Sequence, residues 1–414
     1  MSRPEYSVRA NSVEHQARLR RGLANALLAL ASVTLTVSAL EIGFRLANFD
    51  FEFKARAFRN LPIFFRQPTM PFEPGLFRRP GPDVWRGQVL NTMARYRAWQ
   101  RKLGTDDTYR DEAPVTITYD SMGFRNPPDL SDWDIVVAGD SFTELGFLPY
   151  SELFTTQLGE LLHKRVKNLG VSFTGTITQT AYLTEFGRSP STKEAVVVFF
   201  EGNDVADIIV EQRSMQQRLT TNGWDALQQR NLDLLPRQTS FLTAAYRLLT
   251  EELVAREVPG KIDLVNAYFV WGGSETPLTL EFPRIIPQDP SDLSASYKKA
   301  VAEAIKGWGA AARTLGLRPW LVYMPCKRRV FEGYLRWKPP EAAIPLAPGM
   351  PEWIRDLATD AGIGFIDVTP ALRAETAAGR LTYNTVMDSH LNRHGSLTVG
   401  RALAEALAPA VAVQ

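Results

Sequence analysis

Four short apolar runs, separated by amphipathic segments, constrain the fold of this chain more than any other feature. They are WDIVVAG at 133–139, EAVVVFFEG at 194–202, RPWLVYMP at 318–325 and IGFIDV at 363–368. Each run is continuous rather than alternating, as expected for a strand that is covered on both faces of its sheet. Helical patterns lie between the runs, at 151–166, 294–316 and 351–362, and a last one begins near His394. This alternation predicts an α/β fold with a parallel, doubly wound sheet.

The predicted domain covers residues 115–410, and one interval interrupts its alternation of strands and helices. Residues 205–293 join a Gln- and Arg-rich helical part to a part rich in Pro and aromatic residues, which predicts an insertion. Insertions after strand ends of an open α/β sheet tend to cover the ligand crevice. Before the domain, residues 47–114 mix Phe, Trp, Arg and Pro without a regular period, which predicts a stalk or strap.

An uncharged apolar segment at 22–40 predicts a transmembrane helix. At about 1.5 Å per residue, a helix of this length spans roughly the hydrocarbon core of a bilayer. A cleaved signal peptide is the alternative, but the segment is longer than the roughly 7–15 residues of a signal h-region. We therefore expect an uncleaved single-pass anchor at 22–46. The basic tail at 1–21 would stay in the cytoplasm, and the domain would lie on the periplasmic side of the inner membrane.

Composition limits the partners and the chemistry. Lys and Arg number 47 and Asp and Glu number 45, so the net charge of +2 does not suggest a nucleic acid as the main partner. The single cysteine, Cys326, excludes an intramolecular disulfide and a zinc site built from cysteines. No cofactor is predicted.

Polar residues follow the predicted strands, where an open α/β sheet places its functional groups. The first strand ends in Gly139-Asp140-Ser141, the second apolar run ends in Gly202-Asn203-Asp204, and a predicted loop between them carries Asn168 and Gly170. Ser141 has two interpretations. It is either a helix N-cap, with Glu144 completing a capping box, or a nucleophile beside the positive end of a helix. The two interpretations are compatible, and this motif alone does not separate them.

The positions of the histidines favour the interpretation of Ser141 as a nucleophile, because a serine nucleophile needs a base within hydrogen-bonding reach. Of the four histidines, His15 lies before the apolar segment and His163 lies on a helical pattern beside basic residues. The segment DSHLNRHG at 388–395 remains, and it supplies His390 as a base with Asp388 as its orienting carboxylate. Two alternatives stay open for this segment. Asp388, His390 and His394 could bind a metal, or the segment could be a polar loop that caps the last helix.

Four ordered blocks resemble those of the SGNH or GDSL hydrolase superfamily: GDSF at 139–142, NLGVS at 168–172, EGND at 201–204 and DSHLN at 388–392. The G-x-S-x-G nucleophile elbow of α/β-hydrolases is absent from the chain. The resemblance implies a flavodoxin-like, three-layer α/β/α fold. TYDSMGFRN at 118–126, and ALEIGFRL at the end of the anchor, further resemble a membrane-anchored bacterial branch associated with exopolysaccharide genes.

The resemblance also implies a site without a metal. Ser141, His390 and Asp388 would form the triad, with Asp140 and Gly202 in supporting positions. The oxyanion hole would use the amide of Ser141, the side chain of Asn203 and an amide of the second block, for which the candidates are Gly170, Phe173 and Gly175. Many relatives have glycine where this chain has Phe173. The D-x-H spacing of the last block resembles polysaccharide O-acetyltransferases rather than hydrolases with D-x-x-H.

The function implied by the resemblance is that of a membrane-anchored serine esterase or O-acyltransferase. Its substrate would be an acyl ester of a cell-envelope or extracellular polysaccharide. The expected partners are this ester-bearing glycan, the membrane and proteins of polysaccharide biosynthesis or export, but no nucleic acid. The substitution at Phe173 keeps a second hypothesis open, in which the domain is a catalytically inactive binding or assembly component of an export system.

Overall fold

The chain forms two compact units in the structure, a computed structural model. One unit consists of Met1–Ala55 and Arg237–Thr250, and the other consists of Arg56–Pro236 and Glu251–Gln414. The structure describes residues 5–46, 70–72, 76–78, 83–87, 115–145, 148–172, 174–219, 241–243, 245–246, 248–249, 265–280, 289–340, 343, 346–385 and 389–412.

The first unit contains one long helix, α1 (Glu5–Leu46). Its segment Arg20–Phe44 is long and apolar enough to cross a membrane. Its leucines are exposed in the isolated chain, as at Leu28 and Leu35. The predicted apolar helix is therefore present, and its length and composition fit a membrane anchor or a signal sequence. The described residues between 241 and 249 are also helical and belong to this unit.

The second unit contains the remaining described strands and helices. The strands are β1 (Met70–Phe72), β2 (Leu76–Arg78), β3 (Asp83–Gly87), β4 (Val115–Tyr119), β5 (Ile135–Gly139), β6 (Val166–Gly170), β7 (Glu194–Phe200), β8 (Ala267–Trp271), β9 (Ser274–Leu278), β10 (Arg318–Met324), β11 (Leu335–Trp337) and β12 (Gly364–Asp367). The helices are α2 (Ser141–Glu144), α3 (Phe154–Leu162), α4 (Thr176–Phe186), α5 (Asp204–Leu219), α6 (Ala295–Thr314), α7 (Lys327–Phe331), α8 (Met350–Asp360), α9 (Thr369–Ala377) and α10 (Arg393–Ala412).

The central sheet is parallel, with the strand order β12-β10-β7-β5-β6. Numbered along the chain, its five strands lie in the order 2-1-3-4-5, which is the flavodoxin-like order. Val137 faces a core formed with α3 and α10, whereas its neighbour Val136 faces a core formed with α4, α5, α6 and α8. Both faces are therefore covered, and the predicted three-layer α/β fold with a parallel sheet is confirmed.

Strand β6 corrects the prediction of a loop at Asn168 and Gly170. Its sequence, VKNLG, carries two polar residues and does not read as an apolar run, yet all five residues are buried. The polar side chains are tolerated because they have partners: Lys167 pairs with Asp120, and Asn168 Nδ2 donates to the carbonyl of Thr143 at 2.9 Å. Those partners come from a distant part of the chain, so the local sequence pattern does not reveal the strand.

The predicted insertion boundary at residue 205 falls inside the core. Helix α5 begins at Asp204 and packs against α4 and α6, with Val205 and Ile208 buried. Later in the interval, β8 and β9 form an antiparallel sheet with β11, separate from the central sheet. Within residues 47–114, β1 pairs with β2, and β3 pairs with β4 at the start of the predicted domain, while the role of this stretch as a stalk or strap stays a prediction.

Candidate active site

The turn between β5 and α2 presents Ser141 at the carboxyl edge of the central sheet. Helix α2 begins at Ser141, and the N-cap is Asp140, whose Oδ1 accepts a hydrogen bond from the amide of Phe142 at 2.8 Å. The interpretation of Ser141 as the N-cap is therefore wrong, because the preceding carboxylate does this work. Ser141 instead occupies the first helical position, where the backbone amide has no acceptor within the helix.

Two glycines allow this turn to lie close to the sheet. A Cβ added at Gly139 would lie 2.0 Å from Thr143 Oγ1, and one added at Gly170 would lie 2.4 Å from the backbone nitrogen of Glu144. Both distances are too short for any side chain. The turn that carries Ser141 therefore packs directly against the ends of β5 and β6, which fixes the height of Ser141 above the sheet.

A buried arginine holds the residues that follow α2. Leu145 has a left-handed backbone with φ of 38°, which is unfavourable for a branched side chain. Arg125 donates from Nη1 to the carbonyl of Leu145 at 3.1 Å and from Nη2 to that of Leu148 at 2.8 Å. These hydrogen bonds help to maintain the strained end of the helix, and sequence patterns alone did not point to Arg125.

His390 lies next to Ser141. Its Nε2 is 2.8 Å from Ser141 Oγ, although the two residues are 249 positions apart in the chain, and both side chains are partly buried. The His390 ring also contacts the Phe142 ring, with centroids 4.8 Å apart. Asn384 donates from its backbone and side-chain nitrogens, each at 3.0 Å, to the carbonyl of His390. The segment that carries the imidazole is thus held by backbone contacts as well as by its ring.

The other predicted members of the last block have different positions. Asp388 lies outside the described residues, so its role as the orienting carboxylate stays a prediction. His394 Nε2 contacts Glu375 Oε2 at 2.6 Å and not Ser141. The two histidines therefore have separate partners. Within the described parts of the chain, no group of three or more His, Cys, Asp or Glu side chains could hold a metal ion.

Two of the predicted oxyanion donors already have acceptors within the protein. The amide of Gly170 donates to Asn168 Oδ1 at 2.7 Å, and that of Gly175 donates to Glu211 Oε1 at 2.8 Å. The prediction for these glycines is corrected, because Asn168 folds back on its own strand and Glu211 occupies the N-terminus of α4. Phe173 lies outside the described residues.

Asn203 follows β7 on the same edge of the sheet as Ser141, after the buried Gly202. Its Nδ2 donates to Asp207 Oδ2 at 2.5 Å. An amide nitrogen carries two hydrogens, so this bond orients the group and leaves one hydrogen for another acceptor. Sequence analysis identified Asn203 but missed Asp207, one helical turn further along α5.

Four carboxyl groups near this edge of the sheet have raised pKa values. Burial raises the pKa of Asp140 and raises that of Asp204 further, because the charge of Asp140 adds to the desolvation. Burial likewise raises the pKa of Asp207 to about 6 and that of Glu211 to about 7. Asp204, Asp207 and Glu211 lie on α5 at the spacing i, i+3, i+7, a signal in the sequence that could have placed them on one helix face.

The raised pKa of Glu211 predicts a loss of stability as the pH rises. Its pKa rises from the ordinary value of 4.5 to about 7 in the fold, mainly because burial disfavours the charged form. The folded state therefore binds this proton more tightly, and the resulting stabilisation is complete below pH 4.5 and disappears as the pH passes 7. A shift of this size corresponds to at most about 3 kcal/mol.

We expect Glu211→Gln to remove this part of the pH dependence. Denaturant unfolding of the full chain in detergent at several pH values between 4.5 and 8 measures it. The free energy of unfolding of the wild type should fall more steeply over this range than that of the variant. The charge of Asp207 helps to raise the pKa of Glu211, so the difference between the two proteins includes the loss of this interaction as well as that of the Glu211 proton. Parallel curves would contradict the assignment.

A buried hydrogen-bond network joins the second block, at 168–172, to the turn that carries Ser141. Glu144, which is fully buried, accepts hydrogen bonds from the amide and hydroxyl of Ser172, at 2.8 and 2.5 Å, and from the Tyr119 hydroxyl at 3.2 Å. Asn126 bonds to both the amide and the carbonyl of Asn168. The segment 118–126 therefore positions β6 and the residues after it. Glu144, predicted as part of a capping box, has this bridging role instead.

No protein-family model and no curated protein matches this chain. It is similar to several solved structures. One is a member of the lipolytic protein G-D-S-L family from Veillonella parvula, at 11% identity and a TM-score of 0.35, covering 66% of this chain and 98% of that one. Another is the native aryl esterase of M. smegmatis, at 13% identity and a TM-score of 0.32, covering 67% and 99%. A third is an extracellular lipase from Streptomyces rimosus, at 11% identity and a TM-score of 0.34, covering 66% and 98%. The superpositions are loose, and each shows a likeness of fold alone.

Proposed function

We propose that this protein is a serine esterase or O-acyltransferase of the SGNH type. The observation that carries the proposal is the 2.8 Å distance between Ser141 Oγ and His390 Nε2. This is the contact that a histidine base needs in order to accept the proton of a serine nucleophile. The strand order supports the proposal, since the pair lies beyond the carboxyl end of β5, beside the point where the strand order reverses.

The chemistry follows from this pair. Ser141 Oγ attacks the carbonyl carbon of an ester while His390 Nε2 takes the hydroxyl proton, which gives a tetrahedral oxyanion. The bond to the leaving alcohol then breaks, and His390 returns the proton to the alcohol oxygen. Water or a sugar hydroxyl attacks the acyl-enzyme in the second half, with His390 again accepting and returning one proton. Water gives hydrolysis and a sugar gives transfer.

We assign the remaining roles on the same basis. The amide of Ser141 at the start of α2 and the Nδ2 of Asn203 would donate to the oxyanion, with Asp207 positioning the Asn203 side chain. The Phe173 amide is the candidate for a third donor. Asp388, two residues before His390 in the chain, would hold the imidazole in the tautomer that leaves Nε2 ready to accept a proton. Each oxyanion donor is typically worth about 10²–10³ in rate.

The cellular setting belongs to the same proposal. Helix α1 would anchor the protein in the inner membrane, with the domain on the periplasmic side. The substrate would be an acyl ester, such as an acetyl group on a cell-envelope or extracellular polysaccharide. Support comes from the bilayer-length segment of α1 and from the resemblance of segments 118–126 and 388–392 to the exopolysaccharide-associated branch.

A fluorophosphonate probe tests for an activated serine. We expect the full chain in detergent to be labelled, and the labelling to disappear in Ser141→Ala but not in Ser151→Ala, a control at an exposed serine. A wild-type protein that is folded yet unlabelled would instead support the inactive assembly component. Incubation with an acetyl donor, with and without a glycan, then identifies the acceptor: acetylated sugar indicates transfer and free acetate indicates hydrolysis.

A further inference from the structure

An acidic residue near the end of α1 pairs with the start of a second helical segment. Glu41 lies within the apolar stretch Arg20–Phe44, where a carboxylate is costly. Its Oε2 accepts a hydrogen bond at 2.6 Å from the amide of Phe241, the first described residue of the 241–249 segment. The rings of Phe44 and Phe241 are in contact, with centroids 5.7 Å apart. The 241–249 segment is therefore held at the end of the bilayer-length stretch.

A neighbouring side of this segment, about 100° around a helix from Phe241 and Leu248, exposes large apolar side chains. Leu242 is 59% exposed, Tyr246 is 68% exposed and Leu249 is 62% exposed. Their spacing of i, i+4, i+7 places them in one stripe along a helix. Leu248, in contrast, is buried at 7% exposure and lies on the same side as Phe241. One side of the segment is thus covered by protein, whereas the neighbouring side presents an exposed apolar stripe.

The position of the stripe at the end of the bilayer-length stretch indicates that lipid covers it. Glu41 and Phe44 lie at the carboxyl end of the bilayer-length stretch. The segment that contacts them therefore lies where α1 would leave the hydrocarbon core. Full exposure of a Leu to water costs on the order of 1.5–3 kcal/mol relative to burial. Acyl chains and headgroups at that level would cover the stripe, and the Tyr hydroxyl suits the polar boundary.

We propose that the 241–249 segment is an interfacial helix, which inserts Leu242, Tyr246 and Leu249 into the surface of the membrane that α1 crosses. This inference rests on the proposed anchor. Its occupant is lipid rather than a second copy of the chain. The chain would then contact the membrane in two segments, in α1 and again within the interval between α5 and β8. The Glu41 carboxylate serves as the cap that ties the two membrane elements together.

Fluorescence quenching in vesicles of phosphatidylcholine and phosphatidylglycerol tests the proposal on the full chain. An environment-sensitive fluorophore is attached to single cysteines introduced as Leu242→Cys, Leu249→Cys, Thr243→Cys and Leu30→Cys. Cys326 is buried, so the unmutated chain serves as the labelling blank. Lipids carry a nitroxide either near the headgroup or near the bilayer centre. Leu30 reports insertion of α1, and Thr243, about 100° around the helix from Leu242, is the matched control.

We expect the Leu242 and Leu249 reporters to be quenched at least about twofold more by the shallow nitroxide than by the deep one, as for an interfacial helix. The Leu30 reporter should show the reverse, and the Thr243 reporter should be quenched less than its neighbour. Quenching at Leu30 but not at Leu242 and Leu249 would overturn this inference and leave the anchor intact. No quenching at Leu30 would overturn both. Emission that is shifted to the blue yet insensitive to lipid quenchers would identify a protein contact and overturn it.

Discussion

Replacement of His390 by alanine is expected to lower the rate of ester cleavage by about 10⁴- to 10⁶-fold, the range seen when a serine nucleophile loses its base. The physical reason is that a serine hydroxyl is a poor nucleophile until its proton is removed. His390 Nε2 lies 2.8 Å from Ser141 Oγ, and the other imidazole of the block, His394, pairs with Glu375. Steady-state kinetics with a nitrophenyl ester, on the full chain in detergent, measures the effect.

A double-mutant cycle sharpens this prediction. Ser141→Ala alone, His390→Ala alone and the two together should give similar rates, because two groups that act in one step lose the same function when either is removed. His394→Ala is the matched control from the same segment and should keep the rate within a few fold. Independent, multiplying losses at Ser141 and His390 would show that the two side chains do not act together. A strong loss at His394 would point to a different base.

Replacement of Asp120 by alanine is expected to cost about 3–5 kcal/mol of unfolding free energy, as for a buried ion pair that loses one partner. Asp120 and Lys167 are almost fully buried, and Lys167 Nζ lies 2.5 Å from Asp120 Oδ2. The same carboxylate accepts hydrogen bonds from the amide of Phe124 and from the Asn126 side chain, at 3.0 and 2.9 Å. The alanine variant would leave the ammonium group buried between two aromatic rings, at 4.9 Å from the centroid of Trp133 and 6.0 Å from that of Phe124, and these weak cation-π contacts do not replace a carboxylate.

Denaturant midpoints of the full chain in detergent measure this loss. Lys164→Met is the matched control, because Lys164 and Asp134 form a half-exposed pair at 3.5 Å, and it should change the unfolding free energy by about 0.5 kcal/mol or less. The double variant Asp120→Asn with Lys167→Met removes both charges and should recover a large part of the loss. If Asp120→Ala lowered the unfolding free energy as little as the control does, the segment 118–126 would not stabilise β6.

Much of this architecture follows from local sequence. The strands β5, β7, β10 and β12 are continuous apolar runs, and any chain of this pattern must cover both faces of them, which leads to a layered parallel sheet. Gly139-Asp140-Ser141 after the first run indicates a helix start, and α2 does begin at Ser141. The apolar stretch near the N-terminus required a long helix. These features depend on neighbouring residues, whose periodicity and turn chemistry act over one or two turns of chain.

The side-chain partners depended on distant elements and could not be predicted in this way. Strand β6 carries a lysine and an asparagine that no strand pattern favours, and it is buried because Asp120 and Asn126 reach it from another part of the chain. The amides of Gly170 and Gly175 were plausible donors until Asn168 and Glu211 occupied them. His390 and Ser141 are 249 positions apart, so only the packing of α10 and its preceding segment against the sheet places the imidazole beside the hydroxyl. The spacing of apolar residues predicts which face of a helix or strand is buried. The residues that this face contacts depend on how the whole chain packs.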